Sequence, residues 1–373
     1  MAELKVEVCK IDAIKDHPDA DKLELAFIGG KNGWQSCVRI GEFKEGEKVV
    51  YIPVDSLLPM DVEKILFGED AKITLKKSRV RSIKIRGAIS QGMIVSLEGL
   101  GLNPNLKIGT GVAKRLGILK YTPPPKGKPN LMQARKHRHK NPNFRKYTDI
   151  NHFKYYSNAL DDLEIVVSEK VHGTNFRSGY VKFNTYNLWT KFLHMIGKRW
   201  GGKWQYEFAY GSHNVQLTNK GKRTKTFYSK NVYHKIADQY NLKNILYDGE
   251  VIYAEIYGYG IQKGYFYACG HDEHKMAVVD VMVDGKYLDH RDAKAFCWRR
   301  GVPYMKVLYV GKYDYEVINK LANSEHSFVD PKTKPIEGVV IKPVIETKGY
   351  MGRMIFKWIG DKYWLDKGNS DWK

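Results

Sequence analysis

Long apolar runs are missing from this 373-residue chain. No stretch approaches the eighteen or more apolar residues of a membrane span, and Met1-Ala2-Glu3-Leu4-Lys5 has no apolar signal core. Cysteine is equally scarce. Cys9, Cys37, Cys269 and Cys297 are far apart and form no C-x-x-C pair, which argues against both a disulfide framework and a thiolate zinc site. A reduced compartment follows as the default, cytoplasmic or, in a eukaryotic setting, nuclear. Internal repeats, a low-complexity tail and a coiled coil are also absent. Acidic residues fall well short of basic ones, 41 Asp and Glu against 62 Lys and Arg, for a formal net charge of +21. Such an excess favours a polyanionic partner, through phosphate contacts and release of counterions.

What is present divides the chain in three. Residues 1–116 read as short strands broken by turns, among them Val6 to Ile11, Leu23 to Ile28 before Gly29-Gly30, and Val49 to Pro53. Strands at this spacing predict a small β-barrel. Lys76, Lys77, Arg79, Arg81, Lys84 and Arg86 lie close together; they would suit phosphates, or equally guard an edge strand. Residues 117–155 change character. Pro123-Pro124-Pro125 and Lys126-Gly127-Lys128-Pro129 cannot continue a helix or a central strand, and Arg135 to Lys140 adds a dense basic run. This span is expected to be a linker that lies along nucleic acid. Residues 156–373 alternate β-rich segments with loops and a few helix candidates, such as Asp292 to Trp298, and carry a second basic loop, Lys220 to Lys225.

Four ordered blocks carry the chemistry. The first is Glu169-Lys170-Val171-His172-Gly173-Thr174-Asn175, where the apolar stretch Leu163 to Val167 predicts a strand ending at a lysine, with a glycine close behind. A lysine that becomes joined to a nucleotide needs that placement. The others are Tyr253-Ala254-Glu255-Ile256-Tyr257-Gly258, Glu337-Gly338-Val339-Val340-Ile341-Lys342 and Ile355-Phe356-Lys357-Trp358.

In this order the blocks resemble the nucleotidyltransferase motifs of the covalent-lysine ligase superfamily, which includes RNA ligases, DNA ligases and mRNA-capping enzymes. The His172-Gly173-Thr174-Asn175 ending narrows the match. So do Glu255 to Gln262 and the approach Tyr147-Thr148-Asp149-Ile150, which look like the DraRnl-type RNA ligases. His17 to Leu23 and Ser90-Gln91-Gly92-Met93 resemble the OB-fold RNA-binding modules of some tRNA synthetases. The resemblance implies an α+β chain: an N-terminal OB-fold β-barrel, then an ATP-grasp-like nucleotidyltransferase domain of antiparallel sheets with flanking helices. DNA ligases and capping enzymes usually carry an OB domain after the last motif. Here sixteen residues follow Lys357, which disfavours both. A catalytically silent nucleic-acid-binding protein is the remaining alternative.

The resemblance further implies ATP with Mg2+ or Mn2+, a lysyl-AMP on Lys170, and an RNA or RNA-containing duplex with a nick or break as substrate. A monomer is expected. Catalytic roles fall to Lys170, Glu255, Glu337, Lys342 and Lys357, with Glu337 and Glu255 nearest the metal. His172, Gly173, Asn175, Arg177 and Val279 are expected at the nucleotide with them. Asp248-Gly249-Glu250 competes with Glu255 for the third motif, and Glu255 is preferred. Ala254 replaces the family's glycine, and Val279 replaces an aromatic residue before Asp280. A second lysine near Lys357 is missing, with Arg353 or Lys362 as candidate substitutes.

Overall fold

In a computed structural model, the described residues are all but 1–3, 31–32, 69–74, 123–140, 157, 186–202, 218–230, 334, 350–351 and 366–373. The basic runs Arg135 to Lys140 and Lys220 to Lys225 lie outside the described residues.

The N-terminal domain is built on β1 (Glu7–Asp16), β2 (Leu23–Ile28), β3 (Trp34–Arg39), β4 (Lys48–Ile52) and three shorter partners, β5 (Ser56–Leu57), β6 (Ile83–Ile85) and β7 (Ala88–Ser90). It closes with β8 (Met93–Ser96) and β9 (Leu119–Lys120). The main sheet is antiparallel in the order β3-β2-β1-β4-β8. β1 carries its curl. Glu7 to Lys10 pair with β4, Ile11 to Asp16 pair with β2, and a bulge falls between Ile11 and Ala13. An extra residue there bends the strand and adds twist, which rolls the sheet into the half-barrel of an OB fold. Ile11, Ala26, Trp34, Val49 and Tyr51 fill its interior.

The C-terminal half sets two antiparallel-dominated sheets face to face. One contains β10 (Asn151–His152), β11 (Glu164–Glu169), β18 (Val307–Lys312), β19 (Gly338–Pro343) and β22 (Phe356–Ile359), in the order β10-β22-β19-β11-β18. The other contains β12 (Thr174–Thr185), β13 (Lys203–Gly211), β14 (Gln216–Leu217), β15 (Glu250–Gly258), β16 (His274–Val283) and β17 (Lys286–Tyr287), in the order β14-β13-β12-β15-β16-β17. A small hairpin, β20 (Lys348–Gly349) with β21 (Gly352–Arg353), precedes β22. The helices Val232–Gln239 and His290–Arg300 cover the outer face of the six-stranded sheet, packing on Phe176, Ile252, Ala254 and Ile256. The helix Tyr315–Ala322 covers the outer face of the five-stranded sheet through Ile318 and Ala322. β15 therefore reads as a nearly unbroken apolar run, because both of its faces are covered. Among the described residues no helix is long and apolar enough to cross a membrane.

The expected linker, 117–155, is divided at its described ends. Leu119 pairs with Leu57 and Ile118 joins the N-terminal core. Asn141 is bonded to Gln216, Lys182 and Glu207, and Asn151 to His152 form an edge strand on β22. The physical reason is hydrogen bonding: both flanks find backbone or amide partners in the domain beside them.

Candidate active site

Strand alternation decides which side chains meet. On β15, Ile252, Ala254 and Ile256 point to the helices, so Tyr253, Glu255 and Tyr257 point to the opposite sheet. On β19 and β22, Ile341 and Phe356 pack outward, so Lys342 and Lys357 point inward. Val340 pairs directly with Lys357, which puts the two lysines diagonally on one face.

Lys170 stands just past the end of β11, where its backbone N–H donates to Gly338 O at 2.9 Å. Its Nζ donates to Glu337 Oε1 at 2.6 Å, and His172 Nδ1 meets Glu337 Oε2 at 3.1 Å. Burial alone would raise the Glu337 carboxyl, but Lys170 and His172 outweigh it and hold the group down to about 2. Glu255 titrates the other way. Burial pushes it up to about 8, opposed by Lys170 and reinforced by the Glu337 charge. One ammonium thus serves two carboxylates, and the better-bonded one keeps the charge.

Two glycines bring these strands together. A Cβ on Gly173 would lie 2.3 Å from Ile256 O and 2.8 Å from Glu255 Cγ, so its close approach is to β15; Gln262 Nε2 fixes it further by donating to Gly173 O at 2.7 Å. Gly338 has φ +151°, and a Cβ there would lie 2.0 Å from Trp358 O. This conformation at the first residue of β19 lets Glu337 turn toward Lys170 while Lys342 stays on the inner face.

Lys342 belongs to a second cluster. Its Nζ meets Asp280 Oδ1 at 2.5 Å, Arg353 Nη1 meets Asp280 Oδ2 at 2.7 Å, and Tyr147 OH donates to Oδ2 at 2.6 Å. Burial would raise Asp280, yet Lys342 and then Arg353 hold it below the usual carboxylate range. Arg353 also reaches Glu346, at 2.5 and 2.7 Å. Of the two candidate substitutes for the missing lysine, Arg353 is therefore the buried one, 5% exposed; Lys362 pairs with Glu325 and is 54% exposed.

Val279 is the extra residue of a β-bulge. Tyr253 pairs with Asp280 and Ala254 with Val278, so Val279 has no partner of its own. The bulge lets Val279 and Asp280 both face inward, Val279 packing with Tyr147, Tyr253 and Ile355. Arg177 is buried, donating from Nε to Ser212 O at 3.0 Å and from Nη1 to Phe144 O at 2.5 Å. Those bonds tie the 211–214 turn to the segment before β10, and burial brings the guanidinium down to about 10. Asn175 pairs with Glu255 across β12 and β15, and its Oδ1 is buried with no hydrogen-bond partner among the described residues. Lys357 is buried on β22, opposite His152.

Sequence reasoning gave no role to Glu169, Asp280, Tyr267 or Tyr363. Glu169 clamps a loop, accepting from Ser327 Oγ at 2.6 Å, Phe328 N at 2.7 Å and Val329 N at 3.0 Å. Tyr267 OH accepts from His172 N at 2.7 Å, and Tyr363 OH lies 3.4 Å from both ring nitrogens of His172. A signal existed for Asp280, a lone acid inside the apolar strand β16, next to Val279. None existed for the tyrosines, which look like any core aromatic.

The donor set fits a hard divalent cation. Glu255, Glu337 and the Asn175 side-chain oxygen offer oxygen atoms, and a nearby cation would satisfy both the raised Glu255 and the amide oxygen that has no partner among the described residues. Among the described residues no group of three or more His, Cys, Asp or Glu is arranged to hold a metal.

The RNA ligase family model matches residues 163–359, which hold Lys170, Glu255, Glu337, Lys342 and Lys357, and an OB-fold domain model matches residues 5–97. Among solved structures, a mutant of the Naegleria gruberi RNA ligase with ATP and Mn aligns with TM-score 0.71 and 18% identity, over 97% of this chain and 98% of that one. The Naegleria gruberi RNA ligase with PPi aligns with TM-score 0.69 and 18% identity, over 97% and 98%. Another mutant of that ligase, with AMP and Mn, gives TM-score 0.70 and 17% identity over 96% and 97%. At these identities the likeness shows the fold, including its two-domain order. No curated protein matches the chain.

Proposed function

The chain belongs to the RNA ligase family, and from that membership and the Lys170 site we propose that it seals RNA 3′-hydroxyl and 5′-phosphate ends in RNA repair, using ATP and Mg2+ or Mn2+. The observation that carries the reading is Lys170 Nζ held 2.6 Å from Glu337 beneath two further inward lysines.

In the first step Lys170 Nζ attacks the α-phosphorus of ATP. A nitrogen–phosphorus bond forms, the bond to the β-phosphate oxygen breaks, and pyrophosphate leaves. An unperturbed lysine titrates near ~10.4, so its proton must be drawn off before attack. Glu337 fixes the ammonium's orientation and favours its charged form, so the proton leaves to solvent as Nζ attacks. Lys342 and Lys357 face the place where negative charge accumulates on the phosphate. Asn175 and Glu255 offer oxygens on the opposite wall. A divalent cation, when bound, supplies further charge neutralisation at the phosphate. AMP then passes to a 5′-phosphate, and a 3′-hydroxyl displaces it to close the strand. The OB domain and the net charge of +21 support a nucleic-acid strand as the partner, which we take to be an RNA or RNA-containing duplex with a nick or break.

Two substitutions test the reading. Lys170→Ala removes the nucleophile and leaves the phosphate cluster, so it is expected to fail with ATP yet still seal a strand supplied already adenylylated. Glu337→Ala is expected to fail on both, because phosphate positioning is needed in every step. Equal sealing of the adenylylated strand by both would remove Glu337 from the catalytic set.

A further inference from the structure

Ser90-Gln91-Gly92-Met93 resembles a nucleic-acid-binding motif, yet its glutamine is spent on something else. Gln91 is buried, its backbone N–H donates to Gln35 O at 2.7 Å, and its backbone O accepts from Tyr51 OH at 2.9 Å. Gly92 has φ +85°, and a Cβ there would lie 2.7 Å from Ile52 O. So fixed within the OB barrel, the Gln91 amide reaches across to the catalytic domain. Its Oε1 accepts from Lys154 Nζ at 2.8 Å, and its Nε2 donates to Asp361 Oδ1 at 3.1 Å.

Both partners lead inward. Lys154 is buried beneath the faces of Trp34 and Trp358, and Trp34 lies 4.4 Å from the His152 ring, whose strand pairs with Lys357 on β22. Asp361 opens the short helix Asp361–Leu365, and the residue before it donates to Glu337 O at 3.0 Å. Two residues later Tyr363 OH touches the His172 ring, which bonds Glu337, which bonds Lys170. Val54 of the OB domain packs in the same apolar cluster as Val171, Ile359 and Tyr363.

We propose that Gln91 is a positioning residue for the Lys170–Glu337 pair: it latches the OB domain to Lys154 and Asp361, and the docked domain sets the short helix that holds His172 against Glu337. The inference rests on the proposed lysyl-AMP chemistry. A cavity of about 270 Å³ lined by Gln35, Gln91, Lys154, Asn319 and Asp361 lies along this junction. The contact is thus polar and partly open at this point, and its geometry depends on specific bonds more than on apolar packing. Chains of bonded groups with discrete arrangements are what carry coupling between sites, and only a measured interaction between substitutions establishes it.

Gln91→Glu keeps an acceptor for Lys154 but sets a carboxylate against Asp361. In the full-length protein the rate of Lys170 adenylylation at saturating ATP is expected to fall about tenfold, with the half-saturating ATP concentration changed less than about twofold. Adding Asp361→Asn restores a donor opposite the introduced carboxylate and should return the rate to within about threefold. The deficit of Gln91→Glu should also narrow as pH falls, because protonating that carboxyl regenerates a donor. Thermal melting of each protein accompanies the assay. If Gln91→Glu melts below the assay temperature, Asp361→Ala, at a partly exposed position, is the substitute and should show the same rate loss. A full rate in either folded single variant, or no rescue in a folded double variant, overturns the latch. Absence of any adduct on the unsubstituted protein overturns the proposed function instead.

Discussion

Glu255 and Glu337 face the same lysine from opposite walls and titrate apart, one pushed up to about 8 and the other held to about 2. Their contributions to stability have opposite signs. Glu337 stabilises the fold above its usual 4.5, and that gain is lost as pH falls through about 2. At Glu255 the folded protein keeps a proton that the unfolded chain releases from 4.5 upward, so stability declines as pH rises toward about 8. Glu255→Gln is therefore expected to raise the melting temperature of the metal-free protein at about pH 9 and to leave it unchanged near pH 4. Added Mg2+ or Mn2+ should raise the melting temperature of the unsubstituted protein at about pH 8 far more than that of the variant. A variant no more stable at the higher pH would mean that Glu255 is already relieved by a partner. The sequence made Glu255 and Glu337 visible as acids within motifs. It could not show their opposite titration, which arises from which carboxylate Lys170 and His172 actually touch.

At the scale of elements, alternation along β15, β19 and β22 was readable before any coordinates. Ala254, Glu255, Ile341, Lys342, Phe356 and Lys357 fall on the faces their spacing implies. The bulge at Val279 was not readable, since nothing local marks it. The partner of Asp280 was hidden too, because Lys342 is 62 positions away. The β20–β21 hairpin carries Arg353 onto the other side of the same carboxylate. Breaking one member of a buried ion cluster leaves an uncompensated charge, so Arg353→Met should cost about 3–5 kcal/mol of stability. Combining it with Glu346→Gln, which neutralises the carboxylate that Arg353 leaves behind while Asp280 keeps Lys342, should recover part of the loss, as denaturant melts would show. If the single variant melted like the parent, Arg353 would contribute nothing to holding the cluster.

For the whole molecule, the order of an OB barrel before a ligase fold could be read from strand spacing and motifs. The docking of the two could not, since Gln91 and Asp361 are 270 positions apart and each looks like an ordinary surface residue. Charge of +21 points to a nucleic-acid partner whatever the docking. The central claim is narrower, that Lys170 itself carries the nucleotide. Intact-mass analysis of the protein after incubation with ATP and Mg2+ or Mn2+, followed by peptide mapping, tests it most directly. The expected result is a gain of one AMP on the peptide containing Lys170, absent from Lys170→Ala and released as ATP when pyrophosphate is added. An unchanged mass, or an adduct that forms at full level in Lys170→Ala, would contradict it.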